Sequence, residues 1–180
     1  MKHTVRKLLF AWQFEEEEKW LNEMSAKGFQ LVSVGLGKYV FEDKSHMTYQ
    51  YGIELLDHWP THPESINYIK FLEETGTEHV ASFMRWIYIR KEITDDSFEL
   101  FSDLDSRIKH LKKIRNLFFY VSPLIIINII NMIRTAMTTS NAVIMLLLIL
   151  NVTFAILLGK GLWTIHNKIQ ALIKEKSIRE

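Results

Sequence analysis

The chain has 180 residues, 48 % of them apolar, with 22 Lys and Arg against 21 Asp and Glu and no Cys. The missing Cys excludes disulfide scaffolds, thiol catalysis and cysteine-ligated zinc or iron–sulfur sites. The near-neutral total hides a division: residues 1–106 carry a net charge of −8 and residues 107–180 a net charge of +9, so an acidic part precedes a basic one.

In chain order, residues 5–12 form a short apolar run that reads as a strand, and residues 15–27 read as a helix. Glu15 to Glu18 suit the positive end of the helix dipole, Trp20, Leu21 and Met24 supply a buried face, and Gly28 ends the helix. These four glutamates are expected to be a solvated first turn rather than catalytic carboxylates. Residues 29–41 are extended on both sides of Gly35-Leu36-Gly37, which fits a bulge or bend within one long strand. After a turn at Glu42-Asp43-Lys44-Ser45-His46, residues 47–55 alternate strictly and pair with that strand as a hairpin. Pro60 and Pro63 mark a loop, a second helix bearing Ile66, Ile69, Phe71 and Leu72 ends near Gly76, and residues 80–90 form a last strand. The order strand, helix, strand, strand, helix, strand predicts an α+β, ferredoxin-like (split βαβ) domain over residues 1–95, with one antiparallel sheet covered by two helices.

Several stretches of this domain carry a resemblance: Trp12 and Phe14, then Glu17-Glu18-Lys19-Trp20-Leu21-Asn22-Glu23-Met24-Ser25-Ala26-Lys27-Gly28-Phe29, then Tyr39-Val40-Phe41 and Tyr49-Gln50-Tyr51. They resemble the bacterial family catalogued as domain of unknown function 2812 (DUF2812). The resemblance implies a small membrane-anchored protein of a Gram-positive bacterium, often encoded near a PadR-like transcriptional repressor. It implies no reaction and no catalytic residues.

Recognisable chemistry is sparse. His58 and His62 are four apart, but Pro60 and Pro63 place them in a loop without a second ligand pair, so no metal site is expected. No nucleophile elbow, phosphate-binding glycine loop or distinctive carboxylate pair is present, and neither enzymatic activity nor a cofactor is expected. The aromatic residues are numerous; Trp12, Tyr39, Tyr49, Tyr51 and Trp59 are candidates for an interaction surface on the uncovered sheet face.

Residues 96–116 read as an amphipathic stalk helix bearing Phe101, Leu104, Ile108 and Leu111. Within residues 117–160 lie two membrane spans: 18 uncharged residues from 116 to 133, then Arg134, then 25 more from 135 to 159. Residues 161–180 form a basic C-terminal helix with Leu162, Ile165, Ile169 and Leu172 on one face. Folding back near Met137 places Ile108 against Ile169 and Leu104 against Leu172 as a stalk; the competing arrangement lays each helix on anionic lipid. Lys and Arg cluster outside the spans and only Arg134 lies between them, so both termini are expected in the cytoplasm of a two-span cell-membrane protein. Asn128, Asn131 and Asn151 are candidates for intramembrane contacts, with Asn151 opposite about Leu124. The expected partners are the bilayer, a protein (a PadR-like repressor or a membrane protein) and a second copy, with no direct nucleic-acid binding. The function expected is a membrane-anchored interaction or regulatory module. The alternative is an accessory or immunity subunit of a transporter acting through the spans.

Overall fold

The computed structural model describes residues 1–44, 48–93, 104–139 and 141–179. Ser45, His46, Met47 and the stalk's Phe101 lie outside the described residues. The chain divides into two compact units, Met1–Ser102 and Asp103–Glu180.

The first unit runs β1 (Lys2–Arg6), α1 (Phe14–Ala26), β2 (Phe29–Gly35), β3 (Lys38–Asp43), β4 (Tyr49–Leu55), α2 (Pro63–Glu74), β5 (Glu78–Phe83) and β6 (Trp86–Glu92). Both expected helices are present, but the strands differ from the ferredoxin-like expectation. Instead of one sheet, there are two three-stranded antiparallel sheets, ordered β1-β3-β2 and β4-β6-β5. The Gly35-Leu36-Gly37 bend is a hairpin turn, because Gly37 takes φ +59 and returns the chain so that Gly35 pairs with Lys38. The expected long last strand is also a hairpin, reversing at Met84 and Arg85 so that Phe83 pairs with Trp86. The first strand lies earlier than residues 5–12, and Ala11–Gln13 form a single 3-10 turn leading into α1.

The unit is therefore a βαββ motif used twice. From helix end to hairpin tip the two copies are in step at 48 residues: Gly28 with Gly76, at φ 85 and 86, and the tip pairs Gly35–Lys38 with Phe83–Trp86. A register shift falls at matching places, between Leu31 and Ser33 and between His79 and Ala81. A one-residue bulge bends its strand, so both hairpins curl alike.

The two helices are unequal. Leu21 of α1 is completely buried in a core with Leu31, Phe41, Tyr51, Ile53 and Tyr88, drawn from both sheets. Its outer edge docks on β4: Glu18, Asn22 and Ser25 accept hydrogen bonds from the backbone N–H groups of Ile53, Tyr51 and Tyr49 at 2.7, 2.7 and 2.8 Å. Those N–H groups belong to an edge strand, and the spacing of four and three residues matches successive turns of one helix face. By contrast α2 buries Ser65 and Leu72 and leaves Phe71 57 % exposed. It starts cleanly, with His62 Nδ1 accepting from the Glu64 N–H and Pro63 at the first helical position.

The second unit consists of α3 (Leu104–Thr138) and α4 (Ala142–Arg179), packed antiparallel. From Leu104 on, the expected stalk and the expected first span are one helix, which Pro123 does not interrupt. Ile108, Leu111 and Ile114 on α3 and Leu158, Ile165 and Ile169 on α4 are buried, and Lys176 pairs with Asp105 at 2.8 Å. The turn lies between Thr138 and Ala142, later than Met137, so Asn151 reaches Met132 Sδ at 3.4 Å rather than standing opposite Leu124. Both helices are long and apolar enough to cross a membrane, and their most apolar stretches are 0 % and 6 % buried. A core helix of a soluble protein would have that surface covered by protein.

Candidate functional site

The two hairpin tips and the start of α1 enclose a cavity of about 180 Å³. Its mouth carries Leu36 and Met84, 83 % and 61 % exposed, one from each tip. The aromatic residues Phe14, Tyr39, Phe83, Trp86 and Tyr88 line the cavity, together with Gly35, Gly37 and the small or apolar Leu8, Leu9 and Ala11. Phe14 and Trp86 stand at a centroid distance of 6.2 Å, and Tyr39 meets Trp20 edge-on at 4.8 Å. Met84 has φ 55, a left-handed conformation that costs a non-glycine residue about 1–2 kcal/mol. Strain of that kind gathers where a binding rim must hold one shape.

At the inner end of the cavity stands Glu17, only 6 % exposed. The hydroxyls of Tyr39 and Tyr88 both donate to its Oε1 at 2.8 Å. Among the described residues no donor bonds Oε2, and no Lys or Arg forms an ion pair with the carboxylate. Lys7, the basic group that acts on it through space, holds its ammonium 4.4 Å from the centre of the Trp20 ring. Burial therefore raises the Glu17 pKa above the ordinary 4.5, against the opposing pull of the tyrosine hydrogen bonds and Lys7. Burial, with the neighbouring carboxylate, pushes both phenols upward, so they remain donors. The expectation of four solvated glutamates fails at two of them. Glu17 is buried in the cavity and Glu18 is engaged by β4, while Glu16 is exposed.

The aromatic candidates separate. Tyr39 is the one that lines the cavity. Tyr51 is buried, accepting from the Leu31 N–H at 2.8 Å and donating to Gln30 Oε1 at 3.0 Å, and Tyr49 lies under the Arg90 guanidinium at 4.3 Å. Trp12 stacks on Phe10 at 4.6 Å, and Trp59 is 58 % exposed in the loop before α2. Asn128 and Asn131 are exposed on α3.

His58 and His62 stack at 4.2 Å, and His58 Nε2 lies 3.2 Å from Glu64 Oε2. With Glu64 they offer three ligand atoms within 4.8 Å of one another. The loop expectation holds for both histidines, and the spacing alone did not point to Glu64 as a third group. All three are solvent-facing, and His62 caps α2 by accepting from the Glu64 N–H.

The cavity residues, the glutamate and the tyrosines were present in the sequence without a motif to join them. The usable signal was helical phase: Phe14, Glu17, Leu21 and Ser25 fall on one face of α1, and all are buried. A carboxylate on an apolar stripe is an exception that calls for a function.

A family model described as "Protein of unknown function (DUF2812)" matches residues 13–122. The match takes in α1, both hairpins and the first part of α3, and so includes Glu17 and both tyrosines. No curated protein and no solved structure matches the chain.

Proposed function

The chain belongs to the DUF2812 family, whose description names no activity, and on that premise we propose that it is a membrane-anchored recognition module that takes a small ligand into the Glu17 cavity. The observation that carries this reading is the buried carboxylate with one oxygen left unbonded inside an aromatic enclosure. Among the described residues no fully buried side-chain polar atom lacks a partner, so the free oxygen opens to the cavity, and a ligand that displaces its water must supply a donor or a positive charge in return. In this reading α3 and α4 cross the bilayer, whose acyl chains cover their exposed apolar residues, and the basic residues that flank them keep both termini in the cytoplasm. The ligand-bound domain then signals to a protein partner at the membrane, a PadR-like repressor or a membrane protein.

The test uses the full chain in dodecyl maltoside micelles, titrated calorimetrically with three single-ring probes: phenyltrimethylammonium, tert-butylbenzene and phenylacetate. The reading expects at least one to bind, and Gly35→Phe to abolish that binding. Gly35 lines the cavity and an added Cβ there meets nothing nearer than the Lys38 carbonyl at 4.0 Å, so the larger side chain closes the space without a backbone clash. Binding of none of the three, or equal binding by Gly35→Phe, would overturn it.

A second reading, an accessory subunit acting through the spans, draws on Asn128 and Asn131, which are exposed and three residues apart on α3. In a bilayer such groups seek hydrogen-bonding partners on another helix. Exchanging both for Leu should then abolish co-purification of a membrane partner while leaving probe binding intact.

A further inference from the structure

We infer that the cavity selects a small organic monocation with apolar substituents, of the alkylated or aryl ammonium class, with Glu17 as its counter-charge. The inference rests on the reading of this cavity as a ligand site and adds the chemistry of what enters it.

Four observations lead there. First, Glu17 is buried and its Oε1 already receives both tyrosine hydroxyls, while Oε2 has no bonded donor among the described residues. A neutral ligand without a strong donor leaves that oxygen desolvated, an anion adds repulsion, and a cation compensates it. Second, the internal cation nearest in effect is kept elsewhere, since the Lys7 ammonium sits over Trp20 and makes no ion pair with Glu17. Third, Phe14, Tyr39, Trp86 and Tyr88 are among the residues that line the cavity, and the rest of the lining apart from Glu17 is apolar or glycine. Aromatic rings attract ammonium groups through their quadrupole, most strongly where water is excluded, and solvate the apolar substituents at the same time. Fourth, a single carboxylate is a poor host for Ca²⁺ or Mg²⁺, which require about six or more oxygen ligands. Tyrosine hydroxyls that donate to Glu17 are turned away from that task.

Size narrows the class. A cavity of about 180 Å³ lies below the roughly 300–1,000 Å³ of drug-sized sites, so the ligand is a compact ammonium and not a polycyclic dye. The glycine at position 35, where the second hairpin has Phe83, leaves the room it needs.

The experiment compares phenyltrimethylammonium with tert-butylbenzene, which has the same shape with carbon in place of the charged nitrogen. Full-length wild type and Glu17→Gln are titrated in dodecyl maltoside, with empty micelles as the blank. The expected result is that the cation binds wild type at least about tenfold more tightly than its neutral isostere, and that Glu17→Gln removes this preference. Glutamine keeps an oxygen acceptor for both tyrosines. Should Glu17→Gln fail to fold, wild type alone decides: lowering the pH must weaken the cation and leave the isostere unchanged, as Glu17 takes up a proton between donors, Tyr39 and Tyr88, that stay protonated and with Lys7 as the other charge. Equal binding of the two probes overturns the cation class while the ligand-site reading survives. Cation binding that ignores both Glu17→Gln and pH overturns it as well. Failure of every probe overturns both.

Discussion

The two βαββ copies of the N-terminal unit share a chain path and diverge in what they bury. At helix positions 48 residues apart, the first copy has Glu17 and Leu21 where the second has Ser65 and Ile69. At the hairpin tips Gly35 and Leu36 answer to Phe83 and Met84. The first copy thus contributes the carboxylate and the space, and the second contributes a large share of the aromatic wall through Phe83, Trp86 and Tyr88. Tyr39 and Tyr88, which meet on one oxygen, are not equivalent positions in the repeat. A duplicated scaffold has become a site with one orientation, in which neither copy is sufficient.

The helices show the same inequality most strongly, and it can be broken there. Leu21→Ala empties a completely buried position in the core shared by both sheets and should cost about 3–5 kcal/mol. Its counterpart Ile69→Ala, at a half-buried position on α2, should cost less than half as much. Urea unfolding of the full chain in micelles, followed by near-ultraviolet circular dichroism, measures both. Equal losses would mean that α2 carries as much of the core as α1. Next in size is Asn22→Ala, which strips the Tyr51 N–H of its 2.7 Å acceptor and should cost about 1–3 kcal/mol. Hydrogen exchange at Tyr51 should accelerate while that at Leu31, bonded to the tyrosine hydroxyl, changes little.

These contacts mark the limit of what was legible in the sequence. Both helices and the glycines that end them were readable, because apolar phase and a left-handed glycine are local signals. The alternation of β4 was readable for the same reason, and so was the apolar length of α3 and α4. The hairpin at Met84 was not, since Met and Arg carry no turn preference and the left-handed φ of Met84 is held by surrounding structure. Missing that reversal merged β5 with β6, and reading Gly35-Leu36-Gly37 as a bend merged β2 with β3. Together they turned six strands into four and two sheets into one. The repeat was hidden by the same mergers, although Gly28 and Gly76 were in view. The site was hidden differently: four consecutive glutamates look alike until the phase of α1 assigns Glu17 to the buried side.

Glu17 also distinguishes the copies by pH. Burial raises its folded pKa above 4.5, so the native state holds this proton more tightly than the unfolded chain does. Its contribution to stability is therefore fullest below about 4.5 and declines as pH rises from there through the folded value, then levels off. Most paired carboxylates slope the other way, so the quantity to measure is the difference between Glu17→Gln and wild type. The variant should gain stability on wild type as the pH rises from 4 to 8. A flat difference would mean that the carboxylate is compensated in the folded protein. A saturating organic cation that fills the cavity should reduce the gain by stabilising wild type more than the variant.

The smallest effect concerns the rim. Met84→Gly removes the left-handed penalty at the second hairpin tip, and the added freedom of glycine in the unfolded chain offsets part of it, so stability should rise by no more than about 1 kcal/mol. In the first tip the left-handed residue is Gly37, one place later in the repeat than Met84, so the first tip meets the same requirement with a glycine. If Met84 is retained for its side chain at the mouth, the more stable variant should bind the single-ring cation more weakly. That pairing, a stability gain with an affinity loss, separates a functional methionine from an accident of the turn. A variant that gains stability and binds unchanged would place the selectivity wholly on Glu17 and the inner rings.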